Sequence, residues 1–374
     1  MLKKRREKKM QPLQGMGRSL FEDVEPGQAT TSIEEEFGLK EREARIMVVG
    51  AGGAGNNTVT RLSSMGITGA KTIAINTDVK HLTISKADKR MLIGKDITKG
   101  LGAGGFPQVG KKAAEESERE LKKAMEGCDM LYLVLGLGGG TGTGAAPVIA
   151  RIAKEMGAIV IASTTMPFKI EGGRMRKAED GLYNLRQYCD TVIVIENDRL
   201  LKIAGDLPLQ QAFGVADNLV ATMIKGVTET ISTPSLVNLD YADVRAIMHS
   251  GGVASVGFGE SHSDNRAEES VLKALNNPLL DIEYEGGKGA LVHITGGDDL
   301  RLDEVNTVGE YVSKRLDTEA QVIWGARIDP NYKGKIKVIT IVTGIKSPYV
   351  FGPVEHEAAA TQEVAREMGI PVLR

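Results

Sequence analysis

Gly136-Leu137-Gly138-Gly139-Gly140-Thr141-Gly142-Thr143-Gly144 puts six glycines and two threonines into nine positions. Directly before it, residues 130–135 (MLYLVL) form an unbroken apolar run of strand length; directly after it, residues 145–156 (AAPVIARIAKEM) carry helical spacing. The glycines therefore occupy a strand-to-helix turn. At such a turn, unpaired backbone N–H groups and the positive end of the helix dipole face the same way, toward an anion. The lack of side chains lets a phosphate approach those N–H groups closely. A tight packing turn needs one or two glycines, so six point to a phosphate cradle.

Working outward, the same arrangement recurs upstream. Residues 46–49 read as a strand, Gly50-Ala51-Gly52-Gly53-Ala54-Gly55 as a tight turn, and residues 56–65 as a helix. Further strands are expected at 72–75, 91–93, 159–164 and 191–195, with helical segments between them. Alternation of this kind predicts a parallel sheet covered on both faces, with ligands beyond the carboxyl ends of its strands. Residues 208–233 predict a long helix with Leu209, Ala212, Phe213, Ala216, Leu219, Val220, Met223 and Val227 on one apolar face. Its length is unusual for a crossover, so it is expected to separate two domains. Beyond Pro234 come a short helix from Asp240, a strand at 252–259, a helix at 265–274, and strands at 290–295, 322–328 and 336–343. The last two read as antiparallel partners, which makes this half a smaller α+β domain. The expected fold is thus α/β with a long central helix. Residues 1–44 form an extension, mostly disordered, with a short helix opened by a capping box at Thr31-Ser32-Ile33-Glu34-Glu35. The first domain covers 45–207, the helix 208–234, the second domain 235–345 and a tail 346–374.

The bulk composition narrows the function. An apolar fraction of 41% and a charged fraction of 26% over 374 residues describe an ordinary soluble globular protein. A formal charge of −2 argues against a general nucleic-acid binder, and 4% aromatics argue against base-stacking platforms. Cys128 and Cys189 read as small core residues in a reducing cytoplasm. The five histidines (His81, His249, His262, His293, His356) form no ligand spacing and read as incidental, and no protein-borne metal site is expected. No apolar stretch approaches membrane-spanning length.

Three glycine segments carry the chemistry. Residues 50–55 satisfy the GxGxxG pattern of dinucleotide enzymes, with Asp78 downstream, and so invite an oxidoreductase reading. That pattern alone is weak, and it does not explain the richer second turn at 136–144. The chain contains no GxxxxGK[ST], so no lysine-bearing P-loop is present. A third segment, 100–105 with Pro107, adds further backbone donors. Together they suggest a polyphosphate held mainly by backbone N–H groups, with a cation expected to offset its charge. Downstream, Asn238-Leu239-Asp240-Tyr241-Ala242-Asp243 places two acids three apart at a helix start. Spacing leaves two roles open: a helix N-cap, or acids that orient a water for attack on a phosphate.

With these motifs in their order, the chain resembles FtsZ, the tubulin-like GTPase family of prokaryotic cell division, over roughly residues 45–344, with an archaeal character. The resemblance rests on the 50–57 segment, Asn76-Thr77-Asp78, residues 100–104, and Gly138-Gly139-Gly140-Thr141-Gly142-Thr143-Gly144, which is the signature of the tubulin superfamily. Pro167-Phe168 with Glu171-Gly172, residues 213–217, and residues 238–243 follow in the same order. It implies a tubulin/FtsZ-type GTP-binding domain with GTP and GDP as ligands and Mg2+ accompanying the nucleotide. Gly53, Ala54, Gly55, Asn56 and Asn57 would form the first phosphate segment. Gly140, Thr141 and Gly142 would cradle the α- and β-phosphates, and Ala103 and Gly104 would face the γ-phosphate. Glu171 would contact the ribose, Phe213 would pack on the base, Asp217 would read guanine, and Asn197 would add a base contact. Asn238, Asp240 and Asp243 would act on GTP held by the next subunit of a head-to-tail homopolymer at the division site in the cytoplasm. A nonpolymerising GTP-binding regulator of the same fold is the alternative. Two departures stand out. The family places an arginine four residues after the Glu171 position, whereas here Arg174 is three after it, so Arg174 is the nucleotide-contact candidate and Arg176 the substitute. The tail from Gly352 is also shorter than the linker and partner-binding peptide of bacterial members. A membrane adaptor or other division protein is therefore expected to engage another site, such as the basic N-terminus.

Overall fold

A computed structural model describes residues 44–345, apart from 233–234, 238, 250–251, 277–283 and 285–286. The expected N-terminal helix and the tail lie outside these residues. Ten strands can be followed: β1 (Ile46–Ala51), β2 (Ala70–Asn76), β3 (Lys89–Leu92), β4 (Met130–Gly136), β5 (Ile159–Met166), β6 (Thr191–Glu196), β7 (Gly252–Ser261), β8 (Gly289–Gly296), β9 (Gln321–Ile328) and β10 (Ile336–Ile345). All ten join one sheet in the order β3-β2-β1-β4-β5-β6-β7-β10-β8-β9. The first six strands are parallel throughout, as near-continuous apolar strands fed by helical crossovers require. β7 continues the sheet with a short parallel pairing, Thr191 opposite Gly252 and Val192 opposite Val253.

The α-helices among the described residues are α1 (Gly52–Met65), α2 (Val79–Ile84), α3 (Lys95–Thr98), α4 (Pro107–Glu116), α5 (Glu118–Ala124), α6 (Thr141–Glu155), α7 (Gly173–Arg186), α8 (Asn197–Ala204), α9 (Leu209–Ser232), α10 (Tyr241–His249), α11 (Arg266–Leu275) and α12 (Leu302–Ser313). Alternation along the strands sorts their apolar side chains onto two faces. Met47, Val49, Leu131 and Leu133 pack under α4, α5, α6 and α7, in a core that continues beneath α11 and α12. Ile46, Val48, Met130 and Tyr132 pack under α1, α8, α9 and α10. Both cores run past β7 into the C-terminal strands, so the two halves on either side of α9 share one sheet. The 24 residues of α9 make a rod of about 36 Å that lies along the second face.

Three local expectations are corrected. Residues 322–328 and 336–343 are not paired with each other: β8 lies between them, parallel to β9 and antiparallel to β10. The tight turn at 50–55 is absent, because Gly50 and Ala51 finish β1 and α1 begins at Gly52. The helix expected from residue 145 begins at Thr141. Glycine's cost in a helix, about 1 kcal/mol per residue, predicts the later starts. Contact between the two helix ends overrides it, since a Cβ on Gly52 would stand 2.8 Å from Gly142 N.

The C-terminal half is tied by Arg266, 9% exposed, which donates to Glu304 at 2.7 and 3.0 Å and to Asp299 Oδ2 at 2.6 Å. Burial pushes the Glu304 carboxyl up, but bonds from Arg266 and the Arg301 backbone outweigh it and hold it below the usual glutamate value. That stabilisation is complete at neutral pH and is lost as pH falls through the depressed folded value. Arg266→Ala removes both guanidinium bonds from the buried Glu304 carboxylate, leaves it the Arg301 N–H at 2.9 Å, and is expected to cost about 3 kcal/mol. Urea denaturation at pH 7 and pH 4 checks this: the difference between variant and unmodified protein should shrink at the lower pH.

Candidate functional site

The carboxyl ends of β1 and β4 lie side by side and each feeds directly into a helix, α1 and α6. Neither helix has a side-chain cap, and neither has an acid in its first turn. Their leading N–H groups are therefore left for an outside acceptor. The bends are made by Gly52 (φ 74°) and Gly138 (φ 85°), in the left-handed region that an L side chain rarely adopts. Thr141 Oγ1 lies 2.6 Å from Thr77 Oγ1, which ties the turn to the end of β2. Ala103 closes the third side: a Cβ on Gly140 would stand 2.8 Å from the Ala103 methyl. Gly104 (φ 60°) sits in the same segment, next to Gly105, whose carbonyl accepts from Lys177 at 2.8 Å.

Beside this double helix terminus opens a cavity of about 340 Å³. Of the expected contacts, Gly53, Ala54, Asn57, Asn197, Phe213 and Asp217 line it together. Asp217 accepts from Thr58 Oγ1 at 2.8 Å, and burial pushes its carboxyl above the usual aspartate value against that bond and the nearby charge of Arg61. A carboxylate so deprived of water favours a ligand bringing N–H donors. Phe213 packs edge-on to Phe168 with ring centres 6.0 Å apart and keeps 38% of its surface exposed on the cavity wall. The plain structural reading of Phe213 as a core residue of the long helix therefore does not hold.

Other expected residues stand outside this cavity. Gly55 packs on β4, where a Cβ would meet Val134 O at 2.2 Å. Asn56 is fully buried, and neither of its amide atoms finds a partner. Glu171 accepts from its own turn at Phe168 N, 2.9 Å, and pairs with Arg174. Arg174 reaches the glycine turn with Nε 3.4 Å from Gly138 O, which favours it over Arg176. Residues that sequence reasoning missed are Thr58, His81, Ser163 and Thr165. Thr58 meets Asp217 across 159 positions, a contact that no local pattern announces. His81 carried no signal either, being a histidine without ligand spacing.

The two acids lie elsewhere. Asp240 Oδ1 accepts from Asp243 N at 2.8 Å and Asp243 Oδ2 from Asp240 N at 3.1 Å, so the pair is a reciprocal cap on α10. Leu239 holds the preceding loop by packing over Gly325 of β9, where a Cβ would stand 2.6 Å from it. Tyr241 Oη donates to Asp129 O at 2.7 Å, and Thr191 Oγ1 to Met248 O at 3.4 Å. The two contacts fall at the amino ends of β4 and β6, through the Asp129 carbonyl and the Thr191 hydroxyl. The seven residues of β4 span about 20 Å, so the acids and the glycine turns occupy opposite ends of the sheet. Asn238 lies outside the described residues.

Among the described residues no group of three or more His, Cys, Asp or Glu side chains could hold a metal, and no helix is long and apolar enough to cross a membrane. Both cysteines are free thiols, and burial pushes Cys128 up to about 12.

Residues 45–205 match the Tubulin/FtsZ family, GTPase domain, and residues 252–346 match the FtsZ family, C-terminal domain. The chain is 54% identical to cell division protein FtsZ 2 of Methanocaldococcus jannaschii over 326 residues, 86% of this chain and 85% of the relative. It is 51% identical to cell division protein FtsZ 1 of Pyrococcus furiosus over 348 residues, 92% and 93% of the two chains. Its fold is similar to a solved empty FtsZ dimer from M. jannaschii, with a TM-score of 0.77 at 50% identity, covering 83% of this chain and 91% of that one.

Proposed function

The chain belongs to the Tubulin/FtsZ family, and from that premise we propose that it is a GTP-hydrolysing subunit of a head-to-tail filament that acts in cell division. GTP occupies the cavity beside α1 and α6. Its phosphates lie on the uncapped first turns, with Gly53, Ala54, Gly140, Thr141 and Gly142 as donors, Ala103 and Gly104 opposite, and Asn56 completing its amide bonds against the nucleotide segment. Asp217 accepts from guanine N1–H and N2–H, the edge of guanine that carries two adjacent donors. Phe213 and Asn197 flank the base, while Glu171 and Arg174 approach the ribose and phosphates from the outer side of the turn. Among the described residues the wall carries one acid, Asp217, so an Mg2+ ion accompanying the triphosphate would offset phosphate charge without a dedicated protein carboxylate cage.

One observation carries the assembly step: the helix that bears the acids is tied through Tyr241 to the amino end of β4, and the cradle follows the carboxyl end of that strand, whose seven residues span about 20 Å. Asp240 and Asp243, with Asn238, would meet the phosphates of a neighbour stacked end to end. Such a contact is heterologous and need not close, which yields a filament. Each acid spends one oxygen on the cap of α10, which fixes its direction before contact. In the joined site the acids orient a water, and the backbone donors stabilise charge on the phosphates as the bond breaks. A membrane adaptor or other division protein would position the filament at the division site. The test is GTPase rate against protein concentration, with light scattering recorded in parallel. Specific activity should rise sharply at the concentration where scattering begins; full turnover by dilute monomers would overturn the shared site.

A further inference from the structure

Among the described residues the cavity wall contains no lysine and no arginine, and its single basic side chain is His81. His81 belongs to α2, whose N-cap Asp78 accepts from Lys80 N at 2.8 Å and His81 N at 3.2 Å. This short helix follows the Asn76-Thr77 corner that bonds to Thr141, so the imidazole is placed by the same corner that ties the glycine turn. Its Nε2 stands 3.7 Å from where a Cβ on Gly53 would be, over the first turn of α1. Nδ1 is buried and meets no partner. No carboxylate of the cavity competes for the ring from that side, because Asp217 is already engaged by Thr58. The imidazole therefore presents Nε2, and not the buried Nδ1, to the first turn of α1.

We propose that His81 is a nucleotide-contacting residue whose Nε2–H donates to the β- and γ-phosphate oxygens from its place over the first turn of α1. This rests on the reading of the cavity as a GTP site and adds to it a residue that discriminates by phosphate number. The backbone N–H groups are fixed and neutral, and only those of Ala103 and Gly104 add a contact when a γ-phosphate is present. An imidazole reaching in from α2 adds a charge-assisted bond that grows with phosphate charge.

Binding of GMP, GDP and GTP is measured by calorimetric titration on the full chain, below the concentration at which scattering begins. His81→Phe keeps the ring volume and removes the donor. It is expected to weaken GTP about tenfold, the size of one hydrogen bond to a charged group, with a smaller loss for GDP and less than about twofold for GMP. His81→Gln, which keeps a donor at similar reach, should recover most of the loss, whereas His81→Asn, which is shorter, should not. If His81→Phe fails to fold, the Gln and Asn variants carry the same comparison. An equal loss for all three nucleotides, or no loss, overturns the inference and leaves the GTP reading intact. Failure of the unmodified protein to bind any guanine nucleotide overturns both.

Discussion

Asp243→Ala is expected to bind GTP and assemble as the unmodified protein does, while turning over about 10²–10³-fold more slowly, the scale of a lost positioning acid or base. The reasoning is spatial. Asp243 stands at the amino ends of the strands and the uncapped helix turns at their carboxyl ends, so removing its carboxylate leaves every group of the nucleotide cavity in place. Stability is the competing effect, because Asp243 also caps α10 against Asp240. Losing half of a capping box costs about 1 kcal/mol, too little to unfold a domain of this size. Asp243→Asn separates the two roles: an amide oxygen still accepts from Asp240 N, but it is a far weaker partner for water. Turnover per polymerised subunit, with nucleotide content measured on pelleted filaments, reads the prediction. If either variant lost nucleotide binding, the carboxylate would have to act within its own chain, and the shared site would fall.

The second large effect concerns the base. Asp217→Asn is expected to weaken GTP by about 10²–10³-fold and to improve binding of XTP. A site built to accept two N–H donors is left with an unpaired buried group when either side changes. In the proposed site guanine offers N1–H and N2–H2 to the Asp217 carboxylate, whereas xanthine carries a carbonyl at C2. An asparagine amide presents one acceptor and one donor, which suits xanthine. Thr58 Oγ1 holds the 217 side chain in position and remains available to an amide oxygen, so the variant is expected to fold. Asp217→Ala should lose GTP without gaining XTP. Parallel titrations with GTP and XTP decide the matter; an Asn variant with unchanged GTP affinity would remove Asp217 from the base site.

Much of the cavity was legible in the sequence, for a reason that differs by residue. The strands and their crossovers were found because their periodicity is local. The glycine turn within 136–144 is legible because six glycines in nine positions have few structural uses. Asp217 and Phe213 came from the family resemblance, and the cavity joins them to Gly53 and Asn57. The starts of α1 and α6 were placed late, because helix propensity counts glycine as a cost and cannot see two helix ends packing through Gly52 and Gly142. The pairing of 322–328 with 336–343 was misread for a similar reason. Consecutive strands are usually neighbours, but here β8 takes the place between them. His81 was passed over as incidental: one histidine has no pattern until the fold sets it beside Gly53.

What the sequence determined by itself was the alternation of strands and helices, the side-chain-free turns suited to an anion, and the pair of acids at a helix start. Each is a property of a few adjacent residues, settled by periodicity, backbone freedom or spacing. The tertiary structure alone decided which end of the sheet each feature occupies. Only the register of β1 on β4, the hydroxyl of Tyr241 on Asp129, and Leu239 seated over Gly325 set the acids and the cradle at opposite ends. Those contacts join residues a hundred or so positions apart, and a chain read in order contains no measure of which distant partners will meet.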